Sequence, residues 1–279
     1  MRGINKQFIE ELKIGDLSFF LEKAKSMRDS LSLEIRDGYI NIYYRGGNLL
    51  KIVQKRNGYT FNFDSRYCLN KKDTSHHELF SSLKSTDIES YINYFDLMLS
   101  EMDSWFIEHP KKEREYQHGI LISNPNILDI EYQINYRDEE NNPKAMRFDM
   151  VLFADDSIII AENKYGNGAV CGSAGLSKHY KDICSVLSND ALHDELLSSI
   201  KNIAKNKKDL GLIDFDIPPL SREKTKILFV LANYNRKSET IKNEIALMNK
   251  TIPARIIFAD INEYIIDFTK AEDLFTYEN

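Results

Sequence analysis

The stretch from Met146 to Lys164 constrains the fold more than any other part of the chain. Two apolar runs, Met146–Ala154 and Ser157–Lys164, flank the dipeptide Asp155-Asp156. Runs rich in Ile, Val and Phe and broken by two turn-forming acids predict an antiparallel hairpin. A lone acid, Asp149, interrupts the first run, and Glu162-Asn163-Lys164 closes the second. Side chains alternate faces along a strand, so Glu162 and Lys164 share one face. Folding at Asp155-Asp156 brings Asp149 alongside Glu162. Two carboxylates held together at a sheet end resist joint ionisation unless a cation lies between them. A hard divalent ion satisfies such a pair, and Mg2+, with Mn2+ as its substitute, suits an incomplete oxygen set. A surface Glu162–Lys164 ion pair, contributing less than ~1 kcal/mol, is the simpler alternative. It leaves an acid inside the apolar strand around Phe148–Val151 unexplained.

The flanking sequence predicts an α/β domain. Lys111–Ile122 suits a helix, and Ile127–Tyr136 a strand followed by a polar turn at Asp138–Pro143. Beyond Lys164, a loop carrying Gly166, Gly168, Gly172 and Gly175 leads into helical sequence from about Leu176 to Lys208. Ile227–Ala232 is a fully apolar strand, Ser238–Met248 a helix and Ala254–Ala259 another strand. The order α-β-β-β-α-β-α-β implies a mixed sheet sandwiched by helices.

Upstream the rhythm differs. Apolar residues among charges up to Asp29 predict one or two short helices. Ser32–Arg36, Tyr39–Tyr44, Leu49–Gln54 and Tyr59–Phe63 are then separated by Asp37-Gly38, Arg45-Gly46-Gly47-Asn48 and Asn57-Gly58. Three evenly spaced turn signals predict a four-stranded antiparallel meander. A polar stretch, Cys68–His77, reads as a linker, and its His76-His77 pair has no third ligand nearby and reads as surface. From Leu79 to Phe106 apolar residues recur at helical spacing, predicting one long amphipathic helix that ends before Pro110. The expected division is 1–70 as an α+β module with the meander, 71–110 as a connecting helix, and 111–279 as the α/β domain.

Asp149 and Glu162-Asn163-Lys164, set in two strands with this order of elements around them, resemble the PD-(D/E)XK nuclease superfamily over roughly Lys111–Asp260. Phe148 stands where the motif's name has proline. The resemblance implies a restriction-endonuclease-like αβββαβ core, behind the N-terminal meander, and metal-dependent hydrolysis of DNA phosphodiester bonds. It implies that Asp149, Glu162 and the Asn163 backbone carbonyl hold Mg2+ and that Lys164 positions the attacking water. Such nucleases often add an acid from the helix before the first core strand; that residue is expected to be Glu115, with Glu113 and Glu131 as rivals. Lys178 and His179, opening the helix after the motif, are expected to contact a substrate phosphate or else to lie on a solvated face. The resemblance further implies a homodimer where both strands are cut, and a role, with partner proteins, in bacterial defence against phage. The residues do not separate DNA from RNA as substrate. They also leave open a non-catalytic nucleic-acid-binding or assembly protein that keeps the fold.

Composition adds boundaries. The chain of 279 residues has a net charge of -6, which at face value argues against nucleic acid. Residues 1–67, however, hold 12 Lys and Arg against 8 Asp and Glu, leaving 25 against 35 for the remainder. Basic residues there interleave with Tyr39, Tyr43, Tyr44, Tyr59, Phe61, Phe63 and Tyr67. Such a surface stacks bases, fills a small core or forms an oligomer contact. Lys201, Lys205, Lys207 and Lys208 read as a solvated helix face. No run of about 18 apolar residues marks a membrane span, and the charged N-terminus does not suggest a signal peptide. Three scattered cysteines suggest no disulfide framework, and a reducing cytoplasm is expected.

Overall fold

Turn chemistry sets the first sheet. In the computed structural model, which describes residues 2–69, 75–137, 141–166, 170–172 and 175–276, β1 (Leu31–Ile35), β2 (Tyr39–Tyr44), β3 (Gly47–Lys55) and β4 (Gly58–Asn62) pair antiparallel in chain order. Gly38, Arg45, Gly46 and Gly58 take positive φ at the three reversals, as tight hairpin turns require. The expected meander is present. Its apolar alternation buries Leu33, Ile35, Ile40, Ile42, Leu50, Ile52 and Phe61. α1 (Lys6–Ile14) and α2 (Ser18–Ser26) bring Phe8 onto Tyr59 and Phe20 onto Phe61, with ring centroids 4.9 and 5.7 Å apart. Tyr43, Tyr44 and Phe63 are also buried. Of the roles open to these aromatics, filling the core is the one the packing supports.

The single long helix expected before Pro110 is instead three: α3 (Ser75–Ser82), α4 (Ile88–Asn93) and α5 (Phe95–Glu108). Asp87 accepts hydrogen bonds from Ser90 N and Oγ at 3.3 and 2.7 Å, so a new helix starts there. Tyr91 of α4 stacks on Phe61, 5.2 Å between centroids. His76 keeps a partly solvent-exposed side chain, as expected of a surface histidine, and its Nδ1 lies 2.8 Å from Glu101 Oε1. These three helices fall in the same compact unit as the meander, Met1–His118 with Asn202–Phe215. Lys71-Lys72-Asp73 lies outside the described residues.

The second unit comprises Gly119–Lys201 and Asp216–Asn279, and α6 (Lys112–Ser123) and α8 (Asp190–Asp209) contribute residues to both units. Its strands are β5 (Ile127–Arg137), β6 (Pro143–Ala154), β7 (Ser157–Tyr165), β8 (Thr225–Ala232), β9 (Ala254–Ala259) and the short β10 (Glu272–Asp273). The sheet order is β10-β9-β8-β7-β6-β5. β5, β6 and β7 run antiparallel, whereas β7–β8 and β8–β9 are parallel. Both residues of the Asp155-Asp156 turn are left-handed, φ 48° and 54°, which Asp tolerates better than most residues. The helical run expected from Leu176 to Lys208 divides into α7 (Leu176–Leu187) and α8. Asn189 Oδ1 accepts from Leu192 N at 3.1 Å and caps the second of these helices. α9 (Glu239–Ala246) connects β8 to β9.

One lysine departs from the expected solvated face. Lys201, Lys205 and Lys208 are exposed, but Lys207 is buried in the first unit, 2.7 Å from the buried Glu34 Oε2. A buried charge of this kind persists only with a close partner. Among the described residues no helix is long and apolar enough to cross a membrane.

Candidate active site

The site forms where the sheet opens. The β6–β7 ladder runs from Ala154↔Ser157 to Met150↔Ala161 and stops there. Beyond that point β6 stays paired with β5 through Phe148 and Arg147, while β7 continues along β8 through Glu162, Asn163 and Lys164. Asn163 N donates to Asp149 Oδ2 at 2.9 Å. Asp149 and Glu162 therefore meet at the mouth of a parting pair of strands, as the hairpin predicts.

Burial gives the pair its chemistry. Glu162 is fully buried, Lys164 is 4% exposed and Asp149 is partly buried. Neither Glu162 oxygen has a hydrogen bond of acceptable geometry; His179 Nδ1 stands 3.2 Å and Lys164 Nζ 3.9 Å from its Oε2. Burial, then the charge of Glu162, pushes the Asp149 carboxyl up to about 7, against the lowering pull of Lys164. Burial likewise pushes Glu162 up to about 7, with Lys164 opposing. A buried carboxylate with two unsatisfied oxygens is costly, and a cation between it and Asp149 would remove that cost. Among the described residues no three His, Cys, Asp or Glu side chains converge on one point. Asp149 and Glu162 are two carboxylates that could hold a hard ion which keeps much of its water. Asn163 contributes its amide to Asp149, and its own side-chain amide is buried without a hydrogen bond.

The other expected residues separate. Lys178 turns outward to an ion pair with Asp182, whereas its neighbour His179 turns inward, with Nε2 3.2 Å from Lys164 Nζ. Glu115 pairs with Lys112 at 2.8 Å on the part of α6 that belongs to the first unit, and Glu113 is exposed. Glu131 lies on β5 between Ile130, paired with Met150, and Tyr132, paired with Phe148, which puts it across the ladder from Asp149. It holds a left-handed φ of 52°, and its carboxylate meets Arg147 Nη1 at 2.8 Å. Its charge also opposes ionisation of Glu162. Strained backbone of this kind clusters at functional sites.

Two supporting residues escaped the sequence reading. Glu244 of α9, nearly buried, accepts from Ser177 N at 3.0 Å and Ser177 Oγ at 2.6 Å, capping α7. Gly175 permits this approach, because a Cβ there would stand 2.7 Å from Glu244 Oε2 and 2.8 Å from Cys171 Cα. Tyr180 OH fixes the next turn, donating to Ile252 O at 2.7 Å and accepting from Ile252 N at 2.9 Å. No local signal announces Glu244, which is 67 residues from Ser177. Compared with protein-family models, with curated proteins and with solved structures, the chain matches none of them.

Proposed function

We propose that the protein is a metal-dependent nuclease with a restriction-endonuclease-like core, hydrolysing phosphodiester bonds of DNA. The observation that carries this reading is the Glu162 carboxylate, buried without a hydrogen bond beside Asp149 and within 3.9 Å of a buried lysine, where two strands part. A structural ion pair would sit closer and on the surface.

Asp149 and Glu162 are the residues that would hold Mg2+, with the Asn163 carbonyl completing the set. Bound there, the ion supplies Lewis-acid stabilisation of charge on the phosphate. The chain's own groups do the rest. Asn163 N holds Asp149 in place through its 2.9 Å hydrogen bond. Lys164, shielded from solvent, orients the attacking water and favours its deprotonated form through its positive charge. Glu131 is the further acid, ahead of Glu115, because it shares the sheet with Asp149 and its charge acts on Glu162.

The test is digestion of single-stranded DNA, duplex DNA and RNA by the purified protein with Mg2+ or Mn2+. DNA cleavage that disappears with chelator and in Asp149→Ala and Lys164→Ala is expected. Equal cutting by those variants overturns the assignment, and cleavage of RNA alone corrects the substrate.

A further inference from the structure

Lys164 poses a problem that its motif does not solve. Its ammonium is almost fully buried, and a buried ammonium needs acceptors. The nearest carboxylate oxygen, Glu162 Oε2, is at 3.9 Å, beyond hydrogen-bond range. His179 Nε2, at 3.2 Å, is within it. An ammonium only donates, so Nε2 must carry the lone pair and the ring proton must sit on Nδ1. That nitrogen faces Glu162 Oε2 at 3.2 Å. The tautomer is thus set by the Lys164 contact, since the Glu162 oxygen, though close, lies outside hydrogen-bond geometry.

We propose that His179 is a positioning residue for Lys164: its Nε2 sets the direction of the ammonium without cancelling its charge, while its Nδ1–H faces Glu162. The role of Lys164 in turnover rests on the nuclease reading above; the contact itself does not. A carboxylate in place of the imidazole would neutralise Lys164. An apolar ring would leave the ammonium to close on Glu162, tying up a carboxylate meant for the metal. The backbone under His179 is built for aim. Glu244 clamps Ser177 on one side, Tyr180 is tied to Ile252 on the other, and Lys178 is diverted to Asp182.

The contact is tested on the full chain without metal or substrate, by long-range 1H–15N correlation spectra of histidine-labelled protein. Six histidines contribute signals, and His179 is assigned by its loss in His179→Gln. The Nδ1-protonated neutral ring is expected at pH 7.5; an Nε2-protonated or doubly protonated ring overturns the proposal. Turnover gives the second measurement. His179→Gln keeps an acceptor near the Nε2 position, and its kcat is expected to stay within about threefold of the parent. His179→Phe keeps the ring shape alone, and its kcat is expected to fall about 30-fold with KM little changed, in the range of losses for groups that orient a ligand. Equal cutting by His179→Phe, or equal loss in both variants, overturns the role. A parent chain that cuts no nucleic acid would remove the nuclease reading, and the tautomer alone would then decide the His179–Lys164 contact.

Discussion

Asn163, two residues past the last rung of the β6–β7 ladder, gives its backbone amide to the Asp149 carboxylate at 2.9 Å. The bond keeps Asp149 beside Glu162 although the strands carrying them have begun to separate. Two carboxyls are thereby confined where neither ionises easily, and stability is given up for that arrangement.

The first expectation concerns pH. Both carboxyls are harder to ionise in the folded chain than in the unfolded one, their values raised to about 7. The folded state therefore holds extra protons. Its advantage from this pair is full below the ordinary carboxylate range and is lost as pH rises through about 7. Glu162→Gln removes one of the two acids. In the absence of divalent ions the variant should melt above the parent at pH 8, by about 1–3 kcal/mol or several degrees, and the gap should narrow toward pH 5. Thermal denaturation at both pH values checks this; a parent as stable as Glu162→Gln at pH 8 would remove the strain argument.

Divalent ions should reverse the penalty. Ligating carboxylates must be deprotonated, so binding at this pair strengthens as pH rises through about 7. At an ion concentration about a hundredfold above Kd the gain approaches ~2.7 kcal/mol. Mn2+ or Mg2+ is expected to raise the Tm of the parent at pH 8, to raise it far less at pH 5, and to leave Asp149→Asn unmoved. Titration by melting curve with each ion separates this from general salt effects, for which Ca2+-free NaCl at matched ionic strength is the control.

Glu244 is expected to act at a distance from the carboxylates. Its carboxylate takes both the amide and the hydroxyl of Ser177. Losing such a cap costs about 0.5–2 kcal/mol. Glu244→Ala should therefore lower stability by that amount and lower DNA cleavage further than the stability loss explains, since the first turn of α7 carries His179. Restoring the melting temperature with a stabilising solute should not restore the rate. Full recovery of cleavage under those conditions would confine Glu244 to a folding role.

Local signals gave the parts of this fold that depend on local chemistry. Gly38, Gly58 and the Asp155-Asp156 pair mark reversals because few residues accept positive φ there, and the strands between them follow. Asp149, Glu162 and Lys164 were legible because two strands and one tight turn fix their spacing. What the pattern hid depends on contacts remote in sequence. Helical periodicity from Leu79 to Phe106 is real, yet it carries no phase information across Asp87, where a side-chain cap restarts the helix. Lys207 has the charge and spacing of a surface lysine, and Glu34, 173 residues away, makes its burial tolerable. Glu131 was one of three acids the sequence could not separate; the register that sets it across from Asp149 is what distinguishes it from Glu113 and Glu115.

That register separates the candidates for the additional acid. Glu115 is engaged by Lys112 on α6, and a neutral amide there changes only an exposed ion pair, worth at most about 0.5 kcal/mol. Glu131 sits beside Asp149 in the sheet, is held by Arg147, and opposes ionisation of Glu162. Glu131→Gln is accordingly expected to reduce DNA cleavage about 10- to 100-fold, the loss typical of groups that support metal ligands, and to weaken the Mn2+-dependent rise in Tm. Glu115→Gln is expected to match the parent in both measurements. Because Glu131→Gln also frees Arg147, the double variant Glu131→Gln with Arg147→Gln isolates the carboxylate: cleavage restored by the second change would assign the loss to the unpaired guanidinium, whereas a loss that persists assigns it to the missing acid.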